Sequence, residues 1–160
     1  MDTRNFLELA LKEAEKALKT ENYPFGAVIV DKEEKIVSTG HNENFSLSDI
    51  SAHAEIQCLR KIPIQNLLDK NKSYTLFCSG ESCGGCSFFI SRTNIKKVYW
   101  ALTDPQKAGF ADFKNNEEMK DSFIGIETFE EPHRDLKEKS ADLLKKYYLK
   151  NGNPEKANLY

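Results

Sequence analysis

Apolar residues recur at helical spacing along the first stretch of the chain. Phe6, Ala10, Leu11, Ala14, Ala17 and Leu18 fall on one face, which predicts an amphipathic helix from Thr3, its expected N-cap, to Lys19. ENYPFG interrupts the pattern, and the run from Ala27 to Val30 has the length and composition of a buried strand. DKEEK then turns the chain into KIVSTG, so the two strands should form a hairpin. A polar stretch, HNENFSLSDI, precedes SAHAEIQCLRKI. There Ser51 is the expected N-cap of a helix, with Ile56 and Leu59 as its apolar stripe and Pro63 as its end. SYTLFCS predicts a third strand, ESCGGCSFFISRTN a loop entering a helix, and KVYWAL a fourth strand. Residues 104–116 read as loop and FIGIE as a fifth strand. A closing helix over 131–151 carries Leu136, Leu143, Leu144 and Tyr147 at helical spacing, and GNPEKANLY reads as a mobile tail.

Strands alternating with helices predict an α/β sandwich, and the opening hairpin makes its sheet mixed rather than parallel. At 160 residues the chain suits one domain, expected over residues 1–150, with 151–160 as the tail. No apolar run is long enough to span a bilayer, and MDTRNFLELALKEAEKAL lacks the features of a signal peptide. A cytoplasmic location is therefore expected, where the four cysteines would be thiols or thiolates rather than disulfides. The net charge of −2 supplies no broad electrostatic footprint for nucleic acid. The lysine pairs at 96–97 and 145–146 are too short to supply one.

The chemistry concentrates in two places. Cys83 and Cys86 stand one helical turn apart, which puts both sulfurs on the same side of a helix start. Thirty residues earlier His53-Ala54-Glu55 occupies another predicted helix start. One imidazole and two thiolates form a ligand set suited to Zn²⁺, and three protein ligands leave a fourth tetrahedral position for water. Glu55 then has the role of general base and acid, taking a proton from that water and passing it to the substrate. A thioredoxin-like redox couple leaves His53 and Glu55 without a purpose. A structural four-ligand zinc site remains open, with Cys58 or Cys78 as the fourth ligand, although both read as small core residues.

PFGAVIV, the GHN segment, HAE, ESCGGC, SRTNIKKVYWAL and AGFADF occur in the order found in zinc-dependent deaminases. Over residues 5–115 the chain resembles the cytidine and deoxycytidylate deaminase-like superfamily, and within it the bacterial guanine deaminases. The resemblance implies a three-layer α-β-α sandwich around a mixed five-stranded sheet. It makes His53, Cys83 and Cys86 the zinc ligands and Glu55 the proton shuttle. It further implies that Phe25 stacks on a purine, Asn42 bonds its polar edge and Asp112 contacts the amino group being lost. Tyr160 would belong to a lid over the site, its own or a partner's. The implied activity is hydrolysis of guanine to xanthine and ammonia by a homodimer acting on a free nucleobase rather than on nucleic acid. A tRNA adenosine deaminase, another nucleoside or pyrimidine deaminase, and a zinc-stabilised domain without activity are the alternatives. The chain departs from the family at Ser82, where proline is usual, and at Gly84 and Gly85. None of these changes removes a ligand or the glutamate.

Overall fold

The protein is described by a computed structural model for all residues except 104, 106–108, 118 and 131. Helix α1 (Thr3–Lys19) leads into β1 (Gly26–Asp31) and β2 (Ile36–His41), an antiparallel hairpin. Three short helices follow, α2 (Asn44–Leu47), α3 (Ala54–Arg60) and α4 (Ile64–Leu68). The chain continues through β3 (Tyr74–Cys78), α5 (Gly84–Ser91), β4 (Ile95–Trp100) and α6 (Phe110–Asn115). A 3₁₀ turn at Lys120–Phe123, β5 (Glu127–Glu130), α7 (Arg134–Lys150) and α8 (Pro154–Ala157) complete it. The five strands lie in the order β2-β1-β3-β4-β5, antiparallel on either side of β1 and parallel from β3 to β5.

Alternation along β1 sorts the two faces of this mixed sheet. Val28 and Val30 point to one side, where they pack with Leu7 and Leu11 of α1, Phe77 of β3 and Leu143 of α7. Ala27 and Ile29 point to the other, among Cys58 of α3, Leu67 of α4 and Ile90 of α5. Helices thus cover both faces, and the architecture is the expected three-layer sandwich. The layers approach closely at two glycines. A Cβ on Gly26 would lie 2.1 Å from the Ala10 carbonyl oxygen of α1, and one on Gly40 2.6 Å from that of Ala54 in α3. No helix among the described residues is long and apolar enough to cross a membrane.

Several boundaries differ from those expected. Asp2, not Thr3, caps α1, because its carboxylate accepts from the Asn5 N–H at 3.1 Å. Ser51 does not cap α3; its N–H and hydroxyl donate to Asp49 at 2.8 and 2.6 Å, and His53 holds the N-cap position. The polar stretch after β2 includes α2, and the expected loop at 104–116 contains α6. The fifth strand starts only at Glu127, because Gly125, at φ +82°, turns the chain first. Residues 151–160 are folded: Asn153 caps α8, Ala157 is buried, and Tyr160 packs against Tyr148.

Candidate active site

Two helix starts meet at the end of the central strands. α3 places His53 at its N-cap, and the imidazole does not cap the helix. α5 places Cys83 at its own N-cap and Cys86 in its first turn. The Ser87 N–H and hydroxyl both donate to the Cys83 carbonyl, at 2.8 and 2.9 Å, which fixes the turn carrying the two sulfurs. His53 Nδ1 lies 3.5 Å from Cys83 Sγ and 3.4 Å from Cys86 Sγ. A tetrahedral centre with metal–sulfur bonds of about 2.3 Å and metal–nitrogen bonds of about 2.0 Å has N···S edges of about 3.5 Å. The three donors therefore fit zinc in both chemistry and spacing.

Their protonation points the same way. A hydrogen bond from the Cys86 thiol, working against burial and aided by His53, lowers Cys83 to about 4. Cys86 is pushed far up in turn, chiefly because its proton is shared with Cys83. That shared proton is what a cation must displace to bind both sulfurs. The structural four-ligand alternative falls away, since only His53, Cys83 and Cys86 converge among the described residues. Cys58 instead donates its thiol to the Ala27 carbonyl at 3.3 Å, and burial raises it to about 12. Burial likewise holds Cys78 well above the ordinary thiol value.

Glu55 is buried in the first turn of α3, and burial pushes its carboxyl above the ordinary range. A carboxyl raised in this way can hold and release a proton nearer neutral pH. With His53 and Cys83, Glu55 lines a cavity of about 240 Å³. Phe25, Asn42 and Glu81 line the same cavity. The Phe25 ring crosses Gly80 so closely that a Cβ there would sit 2.8 Å from Cε1. Asn42 is buried and exchanges hydrogen bonds with Asn44, its Nδ2 donating at 2.6 Å and its Oδ1 accepting from the backbone at 3.1 Å. That leaves one N–H and one lone pair for a ligand. Tyr148, Lys156 and Tyr160 also line it, so the final segment of the chain reaches the pocket of its own protomer.

The structure thus gathers His53, Glu55, Cys83, Cys86, Phe25, Asn42 and Tyr160, but not Asp112. Asp112 is exposed on α6 and does not line the cavity, because that helix turns Phe110 and Phe113 inward. Glu81 is the buried carboxylate in the lining, and it went unread although it stands two residues before Cys83. Lys156 and Tyr148 carried no comparable sequence signal.

Comparison with known proteins agrees with this geometry. Residues 1–102 match the model of the cytidine and deoxycytidylate deaminase zinc-binding region. The tRNA-specific adenosine deaminase of Aquifex aeolicus is 31% identical over 115 residues, 72% of this chain and 76% of that protein. Its counterpart from Agrobacterium fabrum is 31% identical over 102 residues, 64% of this chain and 66% of that protein. Among solved structures, one of a tRNA:A34 deaminase superposes with a TM-score of 0.70 at 25% identity, covering 82% of this chain and 100% of that one. A guanine deaminase from Nitrosomonas europaea superposes at 0.68 and 18% identity, covering 90% and 83%; it bears on the fold alone. With three converging ligands and a buried glutamate beside them, the chain belongs to the zinc-binding cytidine and deoxycytidylate deaminase family.

Proposed function

We propose that the protein hydrolyses the amino group of a free purine base, guanine first among them, releasing xanthine and ammonia. The observation that carries this reading is the cavity over Glu55. At about 240 Å³ it falls below the roughly 300–1,000 Å³ usual for small-molecule pockets. Tyr148, Lys156 and Tyr160 are part of its lining. One planar base suits such a space. An enzyme gripping an anticodon stem needs a mouth open to phosphates and rimmed by several cations. Among the described residues that line the cavity, Lys156 is the one lysine.

When bound at His53, Cys83 and Cys86, zinc supplies the Lewis acidity that makes a water molecule nucleophilic near neutral pH. Glu55 then moves the protons: it accepts one from the attacking water and delivers it to a ring nitrogen next to C2. A second transfer accompanies cleavage of the C2–N bond, so that ammonia leaves and the ring carbonyl forms. Phe25 stacks on the base, and Asn42 bonds its edge. In this reading Glu81, a buried carboxylate of the lining, accepts from the N1–H and 2-amino group, the role expected of Asp112.

The identity to tRNA-specific adenosine deaminases favours a second reading, deamination of adenosine within a tRNA. Incubating zinc-loaded protein with guanine, adenine, cytosine, their nucleosides and tRNA separates the two. Ammonia from guanine supports the free-base reading, and inosine formed in tRNA overturns it. A fully zinc-loaded protein inert on the whole panel would instead be a zinc-stabilised domain without activity.

We also infer that a second copy of the chain covers the face formed by α3, α4 and α5. Ile64, Leu68 and Phe89 are 63%, 54% and 54% exposed there. With Ile56 and Leu59 they line an apolar groove of about 760 Å³, a contiguous patch rather than scattered side chains.

A further inference from the structure

We infer that Lys156 is a specificity residue, whose ammonium donates to an oxo group on the purine edge remote from the departing amine. The inference rests on the free-base reading and narrows it to oxopurines.

Three contacts fix the position of α8. The Asn153 side chain accepts from the Lys156 N–H at 3.0 Å, and Pro154 presets the first turn. Ala157 is fully buried in the cluster that contains Leu144 and Tyr147. So held, Lys156 sets its Nζ 5.6 Å from the centre of the Tyr148 ring. Tyr160, four residues on, stacks on that same ring at 5.9 Å and 8°. Lysine and tyrosines line the same cavity as Glu55. Lys156 makes no ion pair with a described residue. Its three N–H donors are not consumed by the ring contact.

Glu55 fixes which part of the base reacts, because proton transfer requires the ring nitrogen and the departing amine beside its carboxyl. The opposite edge must then meet other residues of the lining, and Lys156 is the one ammonium among those described. In guanine that edge presents the 6-oxo group and N7, both acceptors for an ammonium. In 2,6-diaminopurine the same 2-amino group is lost, but a 6-amino donor meets the lysine and leaves both groups unpaired. A site built to bond one partner rejects the analogue that lacks it more strongly than an apolar wall does. Lys156 could otherwise serve only to staple α8 to Tyr148, and that role makes no distinction between the two bases.

The test is steady-state kinetics of the zinc-loaded enzyme on guanine and 2,6-diaminopurine, for wild type, Lys156→Met and Lys156→Arg, with Tm recorded for each. The expected result is that Lys156→Met lowers the ratio of kcat/KM for guanine over 2,6-diaminopurine by about tenfold or more. Lys156→Arg should restore most of that ratio. A ratio unchanged in Lys156→Met, whether or not Tm falls, overturns the inference and leaves the free-base reading intact. A wild-type enzyme that converts neither base overturns both.

Discussion

Glu55 is the residue on which the chemistry turns, and its replacement separates binding from catalysis. Glu55→Gln keeps the side chain's size but cannot carry the proton, so turnover should fall by about 10²–10⁴-fold. It touches none of the three ligand atoms, so one zinc per chain should remain by elemental analysis; loss of the metal together with activity would assign Glu55 a structural role instead. The two glycines of CGGC divide differently. A Cβ on Gly84 would lie 2.2 Å from the Phe113 ring, whereas one on Gly85 would meet only Cys83 Sγ, at 4.0 Å. Gly84→Ala should therefore destabilise by about 1–3 kcal/mol. Gly85→Ala should stabilise by about 0.5–1 kcal/mol, and thermal unfolding of both variants distinguishes them. Ser82, the other departure from the family, is fully buried with its hydroxyl 3.7 Å from Cys78 Sγ. The ligands and Glu55 were legible because each motif is short and its residue types are chemically restrictive. Asp112 is different: it lies on the exposed side of α6, and local sequence near AGFADF does not state which face of that helix turns inward.

The helices and strands were readable wherever periodicity met a core. α1, β1 and β3 stand close to where the apolar pattern puts them, since their burial depends on their own residues. What escaped the sequence is held by long-range polar contacts. Asn22 is fully buried; its Oδ1 accepts from the Phe45 and Ser46 N–H groups at 2.8 and 3.2 Å, and its Nδ2 donates to Ser46 Oγ at 2.6 Å. These bonds shape α2 and the approach to Asn42 from 20 residues away in the chain, where no periodicity could register them. The join between α1 and β2 gives a measurable pH dependence. Burial pushes the Glu13 carboxyl up, but hydrogen bonds from Lys16 at 2.6 Å and His41 at 3.1 Å outweigh it and hold Glu13 below its ordinary value. The folded protein thus binds this proton less readily than the unfolded chain. Its contribution to stability is complete above the unfolded carboxyl value of about 4.3 and is lost as pH falls through the lower folded value. Chemical denaturation of wild type and Glu13→Gln should differ most above that range and converge in acid. Curves that stay parallel would remove Glu13 from the acid sensitivity.

For the whole molecule, the zinc site and the apolar face make separate demands on stability. His53 reaches the site from α3 and the cysteines from α5, so a bound metal would tie the starts of two helices together. Chelation should lower Tm, and added zinc should restore it in proportion to occupancy; an unchanged Tm would mean that the helix starts are held by packing alone. The face of α3, α4 and α5 is where the inferred dimer would form. Each exposed apolar side chain there costs little in a monomer, but Phe89, Leu68 and Ile64 together present an apolar surface that gains from exclusion of water. A second copy offering the same surface meets this by two-fold symmetry, with each protomer's Phe89 facing the other's groove region. A lysine at position 89 would be buried in that contact with Arg60, Lys61 and Arg92, which line the same groove, at a cost of several kcal/mol, while in a monomer it would lie in water. Phe89→Lys should therefore convert a dimer to monomers in sedimentation velocity. Because α8 lines the pocket from the same protomer, the monomeric variant should retain deaminase turnover. A wild-type chain that sediments as a monomer at all concentrations would leave the groove to some other occupant.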